Sequence, residues 1–304
     1  MISVIIPLYN KVNTVERAVR SVLDQTVSEF ELIVVNNGST DGSEDVVKRI
    51  DDPRIILISQ PNQGVSMARN NGVAIAKGDY VAFLDADDEW RPTFLETVLR
   101  MREKYPDCAV FATAYQRCNA RGVLTDIRLQ QVPVSETFVL DNYFEVAATS
   151  DPPFCSISVM VKKAALQAIG GFPKGIHQGE DLLTWARLAA NYTVAYCRIP
   201  QSIFYTGEDS TMDKPKRVPS EADEVGSALE CLYKERPNLI GLRQYLSHWH
   251  KMRASIYLRL PNASRNCRKE IREAQRWHKN RKLIIYKILL FLPYTLRIKL
   301  LRKL

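Results

Sequence analysis

Along the first hundred residues, short apolar runs alternate with segments whose apolar positions recur at helical spacing. Ser3–Tyr9 (SVIIPLY), Phe30–Asn36 (FELIVVN), Arg54–Gln60 (RIILISQ) and Tyr80–Leu84 (YVAFL) are short and rich in β-branched or aromatic residues, and they predict buried strands. Asn13–Leu23 sets Val15, Ala18, Val19, Val22 and Leu23 on one helical face, with Asn13 or Thr14 available as N-cap. Glu44–Ile50, entered through the turn Asn37–Ser43 (NGSTDGS), and Val65–Ala76 predict two further helices. Such a β-α-β-α-β-α-β order implies a parallel sheet covered on both faces. Ligands of these sheets bind beyond the carboxyl ends of the strands. Asn10, Asn36–Asn37 and Asp85–Asp88 all follow strand ends, so segments far apart in sequence are expected to converge on one edge.

The pattern then changes. Pro92–Tyr105 predicts an amphipathic helix, whereas residues 108–160 are less regular, with strand-like pieces at Ala109–Tyr115, Phe138–Leu140 and Ser156–Val161. Lys162–Ile169 predicts a helix stopped by Gly170-Gly171, and Glu180–Ala190 another. Thr193–Tyr196 and Ser202–Tyr205 are short strands, Thr206–Pro219 is a polar loop or linker with two prolines, and helical sequence dominates from there on. There is no internal repeat.

The 46% hydrophobic and 25% charged content is that of a globular protein with room for a sizeable core. A net charge of +8 hides a division. Residues 234–304 hold 19 Lys and Arg against 3 acids, and residues 1–233 hold 23 against 31. The tail therefore calls for an anionic partner, a membrane surface or nucleic acid. Six scattered cysteines form no C-x-x-C pair or Cys/His cluster. With strand-like sequence at the start and no basic, then apolar leader, the expectation is free thiols in a cytosolic protein without a secretion signal.

Asp85, Asp87 and Asp88 crowd the end of a buried strand, which costs stability unless positive charge arrives. A divalent cation carrying a polyphosphate would supply it; the bland alternative is a solvated acidic turn. Other motifs decide between these. SVIIPLYN, SVLDQT (Ser21–Thr26), ELIVVNNGSTDGS (Glu31–Ser43), NQGVSMARNNGVAIAKGDY (Asn62–Tyr80), FLDADDEW (Phe83–Trp90), GGF (Gly170–Phe172) and GEDLLTWARLA (Gly179–Ala189) occur in the order found in glycosyltransferase family 2, which residues 1–210 resemble. The resemblance implies a GT-A fold: an α/β, Rossmann-like nucleotide-binding half with a mostly parallel central sheet. An α-helical C-terminal extension would follow. It also implies an inverting transfer of sugar from a nucleotide-diphosphate donor, UDP-sugar favoured, to a glycan or lipid-linked glycan of cell-surface polysaccharide.

Residue by residue, the resemblance assigns donor binding to Pro7, Tyr9, Asn37, Arg69 and Asp85. Tyr9 would stack on the base; buried core is its alternative role. Arg69 would meet a phosphate or the acids, or remain a surface charge. Asp87 looks like the ligand of Mn²⁺ or Mg²⁺, Asp85 like a ribose or supporting contact that also counts among the metal candidates, and Asp88 like an auxiliary ligand. Asp181 looks like the catalytic base, with Glu180 as fallback; two acids that merely suit a helix N-terminus are the alternative. Two departures stand out. Asn36-Asn37 replaces the usual acid pair of V-D-D-G-S, so the base could be uracil, cytosine or loosely read. Tyr205–Thr211 (YTGEDST) lacks the histidine that many relatives carry, leaving Glu208 or Asp209 as substitutes. His177 is a separate candidate for an acceptor or phosphate contact.

The tail 281–304 mixes apolar stretches with Lys and Arg and is too short in its apolar part to span a bilayer. Its pattern suits an anionic membrane surface; packing on protein is the alternative, and nucleic acid is not expected. The expected organisation is a catalytic domain 1–210 (1–105 for the nucleotide sugar, 106–210 for the acceptor), a linker 211–233 and a basic helical region 234–304. The expected place is the cytoplasm, at the inner face of the cell membrane. Two rivals remain. A nucleotidyltransferase should show a glycine-rich phosphate loop after its first strand, and Leu8–Thr14 (LYNKVNT) has no glycine. A non-catalytic sugar-nucleotide or glycan binder would have no need for acids at 85, 87, 180 and 181.

Overall fold

In the computed structural model, which describes residues 1–206, 218–279 and 281–301, the first four apolar runs form parallel neighbours in the order β3 (Ile55–Ser59), β2 (Phe30–Asn36), β1 (Ile2–Leu8), β4 (Tyr80–Phe83). Alternation along β1 explains its two contacts. Ile2, Val4, Ile6 and Leu8 enter one core with Val15, Ala18, Val19 and Val22 of α1 (Val15–Leu23). Ile5 faces the other way, toward α3 (Val65–Ile75), where a Cβ on Gly72 would come within 2.6 Å of Ile5 Cγ2. The glycine thus lets α3 lie close on the strand. Helix α2 (Ser43–Lys48) follows β2.

The sheet continues through β9 (Val159–Lys162), β6 (Val110–Cys118), β10 (Val194–Tyr205) and β5 (Glu89–Trp90). β9 is antiparallel to β4 and β6, while β6 and β10 are parallel. β7 (Leu124–Asp126) pairs with β6, and β8 (Thr137–Val139) with β10. Helices α4 (Phe94–Lys104), α6 (Lys163–Ala168) and α7 (Glu180–Asn191) complete this unit, residues 1–141 and 151–206. Two differences from the sequence reading have physical reasons. The strands at Thr193–Tyr196 and Ser202–Tyr205 are one strand whose register on β6 shifts between Cys197 and Ser202, around Pro200, which lacks the N–H a regular ladder needs. Ser156–Ser158 forms a 3₁₀ turn before β9, closed by Cys155 N donating to Ser158 Oγ at 3.0 Å.

A second, helical unit comprises residues 142–150 and, of the described residues beyond 206, 218–279 and 281–301. It contains α5 (Tyr143–Thr149), α8 (Glu224–Glu235), α9 (Leu242–Leu258), α10 (Ser264–Trp277), α11 (Arg281–Leu289) and α12 (Tyr294–Leu301). Phe144 of α5 meets Tyr245 of α9 edge-on at 5.5 Å, and Asp223 caps α8 by accepting from Gly226 N at 2.9 Å. Helix α8 begins inside the stretch 211–233 read as linker, and α5 comes from the middle of the stretch read as acceptor half. No described helix is long and apolar enough to cross a membrane. Glu208, Asp209, most of the expected loop Thr206–Pro219, and Arg302 and Lys303 of the tail lie outside the described residues.

Candidate active site

At the carboxyl edge of the sheet, three loops are laced together by their own polar side chains. After β1, Asn10 adopts a left-handed backbone (φ 50°); its Oδ1 accepts from Thr40 N at 2.9 Å and its N–H donates to Ser39 Oγ at 3.1 Å. Gly38, at φ 77°, lets the third loop approach, since a Cβ there would stand 2.9 Å from Asn62 N. Pro7 pairs with Val35 on the sheet just before this edge. Tyr9 is 46% exposed, so it is a surface aromatic beside the loops rather than core.

Asn36 and Asn37 are both buried. Asn37 Oδ1 accepts from Gln63 N at 3.1 Å and Gln60 Nε2 at 2.8 Å, while its Nδ2 donates to Asn62 Oδ1 at 3.0 Å. The backbone donor fixes which end of the amide is oxygen. Asn36 Oδ1 accepts from Ser39 N at 3.0 Å, and its Nδ2 donates to Glu44 Oε2 at 2.6 Å. An acid at position 36 would bring two carboxylates together there.

The acids after β4 face three different ways. Asp85 Oδ1 accepts from Arg69 Nη2 at 2.7 Å. Asp87 is half-exposed, with Lys11 Nζ 2.5 Å from its Oδ2 and Arg17 Nη2 donating to its backbone oxygen at 2.5 Å. Asp88 is only 1% exposed and turns back to accept from Tyr205 N at 2.8 Å; its Oδ2 is buried with no hydrogen-bond partner among the described residues. Burial, and then Asp85 beside it, push the Asp88 carboxyl well above the usual carboxylate range. Arg17 also lies over the Tyr205 ring at 3.7 Å, and the Tyr205 hydroxyl donates to Glu89 Oε2 at 2.8 Å.

Glu180 and Asp181 open α7 behind Gly179, which takes φ 83°. An aromatic cluster holds that helix on the sheet: Trp185 of α7 packs on Phe172 at 5.6 Å, and Phe172 on Phe83 of β4 at 5.1 Å. Phe172 is held in turn by Asn70 of α3, which accepts from Phe172 N at 2.9 Å and donates to Phe172 O at 2.8 Å. The next residue on α3 toward its N-terminus, Arg69, is 3% exposed and spans the site. Its Nη1 stands 3.8 Å from Glu180 Oε1, and its guanidinium lies 5.1 Å from the Phe172 ring. Burial opposes the Arg69 charge, but Asp85 and Glu180 outweigh it and raise its pKa. Glu180 and Asp181 are both raised, chiefly by burial; Asp181 adds to the shift of Glu180, and Arg69 opposes both. His177 is exposed, and its Nδ1 passes 4.0 Å from where a Cβ on Gly64, the N-cap of α3, would stand.

Whether these acids suit a divalent cation turns on which oxygens face outward. Asp87 is 38% exposed and Asp85 29% at the side chain. Mg²⁺ and its like take one or two carboxylates and complete their shell with water and substrate phosphates. Asp87, with Asp85 two residues before it in the same turn, fits that pattern, and the Lys11 ammonium marks where positive charge is wanted. Asp88 stands behind, facing Tyr205. Among the described residues, the group whose ligand atoms converge within 4.8 Å is instead Asp223, His250 and Glu270 of the helical unit. There Arg253 Nε already takes Glu270 Oε1 at 2.9 Å and approaches Asp223 Oδ2 at 3.4 Å, so the cluster carries its own cation.

Sequence reasoning brought Tyr9, Arg69, Asp85, Asp87, Glu180 and Asp181 to this unit's edge but missed Lys11, Arg17, Asn70 and Tyr205. Lys11 had a signal, a cation two residues past Tyr9 at a strand end. Tyr205 had none, because its role depends on the pairing of β10.

The family model described as Glycosyl transferase family 2 matches residues 3–157. The uncharacterized glycosyltransferase YibD of Escherichia coli (strain K12) is 45% identical over 102 residues, 33% of this chain and 30% of YibD. TuaG of Bacillus subtilis (strain 168), provisionally described as a teichuronic acid biosynthesis glycosyltransferase, is 32% identical over 200 residues, 64% of this chain and 75% of TuaG. The first curated relatives are matched over only about 30% of their own length. Among solved structures, S. aureus TarS 1-349 in complex with UDP-GlcNAc superposes with a TM-score of 0.70 at 18% identity, covering 91% of this chain and 81% of that one.

Proposed function

The chain belongs to glycosyl transferase family 2 and has the GT-A fold, and from that premise we propose that it transfers a sugar from a nucleoside-diphosphate donor to a glycan or lipid-linked glycan in bacterial cell-surface polysaccharide synthesis. One observation carries this reading. The buried Arg69 guanidinium joins Asp85, on the donor side, to Glu180, next to Asp181. Leaving-group acids and base candidates therefore share one site, as a single displacement requires.

Each residue then has a task. Tyr9, exposed at the end of β1, stacks on the donor base. A UDP-sugar is favoured, in keeping with the UDP-GlcNAc bound by TarS. Asn37 reads the base only by exchanging Gln60 for it, because its oxygen already accepts two donors, so a relaxed pyrimidine preference fits as well. Arg69 orients Asp85 toward the ribose and diphosphate. Asp87, supported by Asp85, would hold Mn²⁺ or Mg²⁺, which when bound neutralises the departing diphosphate. Asp181 accepts the proton of the acceptor hydroxyl as that oxygen bonds to the anomeric carbon and the bond from that carbon to the diphosphate oxygen breaks. Attack opposite the leaving group inverts the anomeric configuration, through an oxocarbenium-like transition state. Glu180 is the fallback base. The basic helical region adds attachment to the inner face of the cytoplasmic membrane, supported by exposed apolar side chains on α11 and α12 among Lys and Arg.

The test is a panel of nucleotide sugars with Mn²⁺, read by released nucleoside diphosphate. Release should depend on both Asp87 and Asp181; activity that survives Asp87→Ala and Asp181→Ala would overturn the mechanism.

A further inference from the structure

Helix α11 carries apolar side chains on two opposite sides. Leu283 and Leu289, with Leu290 just beyond, are buried against Ala254, Leu258 and Ile271 of the bundle. Ile284 and Ile288, one turn apart, and Phe291 just past the helix end are 55%, 59% and 82% exposed. Apolar stripes on two opposite sides of one helix call for cover on both sides. Beside this outward stripe, α10 sets Arg265, Arg268 and Arg272 in a row at helical spacing. These three guanidinium groups and Lys287 rim a cavity of about 550 Å³, whose apolar lining includes Leu290 and Phe291. None of the four cations has an ion-pair partner among the described residues. The two acids of this region are already engaged, Glu270 with Arg253 and Glu273 with Arg276.

The cavity thus joins unpaired positive charge to an apolar wall that runs out onto an exposed apolar stripe. Its complement is a phosphate attached to hydrocarbon. A second copy of the chain would bring the same cations against each other. We propose that this cavity binds the phosphate headgroup of an anionic phospholipid, with Phe291, Ile288 and Ile284 entering the acyl layer. The inference rests on the membrane-surface reading above and assigns that attachment to a defined pocket rather than to diffuse tail charge. Charge attraction combined with apolar insertion is what peripheral binding needs.

The experiment is co-sedimentation of the full chain with vesicles of phosphatidylcholine alone and of phosphatidylcholine with phosphatidylglycerol. The chain should sediment with the anionic vesicles and hardly with the neutral ones. The pair Arg268→Gln and Arg272→Gln should weaken that binding about thirty-fold. A charge-matched pair outside the cavity, Lys234→Gln and Arg243→Gln, should weaken it only a few-fold. Phe291→Ser should also weaken it. Equal losses from the two charge pairs, with the parent chain binding, would overturn the pocket and leave the membrane reading standing. A parent chain that ignores anionic vesicles would remove both. Displacement from vesicles by inorganic phosphate, and not by chloride at matched ionic strength, would assign a free-phosphate site and overturn the lipid.

Discussion

Arg69 Nη2 donates to Asp85 Oδ1 at 2.7 Å from a side chain that is only 4% exposed. The pair is buried on the arginine side, and the same guanidinium also faces Glu180. Removing one member of such a group leaves charge without compensation. Arg69→Met should therefore destabilise the protein by about 3 kcal/mol in chemical denaturation at neutral pH. Glycosyl transfer should fall with it. Wild-type stability in Arg69→Met would mean that the carboxylates are neutral in the folded state.

Asn36 donates to Glu44 at 2.6 Å, which explains a departure from the family's acid pair in terms of one neighbour. Asn36→Asp should replace that hydrogen bond by repulsion between carboxylates and cost about 1–3 kcal/mol. Glu44→Gln should recover most of the loss when added to Asn36→Asp, because an amide again faces a carboxylate. A double-mutant cycle by urea unfolding measures the coupling. Additive effects would show that the two side chains do not interact in solution.

Asn37 sits in the neighbouring amide network and contributes the base-reading candidate. Asn37→Asp should shift donor preference or KM across UDP-, GDP- and CDP-sugars, since the new carboxylate oxygen faces Asn62 Oδ1 and pushes that network apart. Kinetics of Asn37→Asp unchanged from the parent for all three donor classes would remove Asn37 from base recognition.

How much of this was legible in the sequence depended on whether a residue's task is local. The strands β1 to β4 and their helices follow from apolar spacing, and the acids at their ends follow from position. Arg69 was legible as a helix residue facing the strand ends, but not as a bridge, because Glu180 is brought to it by the packing of Trp185, Phe172 and Phe83. Asn70 shows the same limit: its two bonds to Phe172 join motifs a hundred residues apart. β5 is two residues long and exists only because β10 pairs with it, so no periodicity could announce it. The inward turn of Asp88 depends on the same strand, through Tyr205 N.

Lys11 competes for the carboxylate that the proposed cation needs. With its ammonium 2.5 Å from Asp87 Oδ2, the cation must displace it or share the oxygen. Lys11→Met should lower the Mn²⁺ concentration that gives half-maximal diphosphate release, while Asp87→Asn should raise it or abolish activity. A titration of activity against Mn²⁺ decides this. A higher Mn²⁺ requirement in Lys11→Met would show that Lys11 supports the diphosphate instead of opposing the cation.

Acid should switch off transfer before it unfolds this site. As the proposed base, Asp181 would have to be ionised to accept the acceptor's proton, and its pKa lies above the ordinary aspartate value of 3.8, chiefly through burial, with Arg69 pulling it back down. The acid limb of kcat/KM should therefore fall at a pH above the usual aspartate range. The sign for stability is opposite. A carboxyl whose folded pKa is raised contributes stability that is fully present below its unfolded pKa and lost as pH rises through the folded pKa. Glu180, raised first by burial and next by Asp181, behaves in the same way. Protonating these two groups thus disables the base while favouring the fold. Removing the opposing charge with Arg69→Met should raise both pKa values further and move the limb upward. The check is a pH profile of diphosphate release for the parent and the variant, with circular dichroism followed in parallel. A limb that moves downward in Arg69→Met, or one that coincides with unfolding in the parent, would rule out Asp181 and Glu180 as the titrating base.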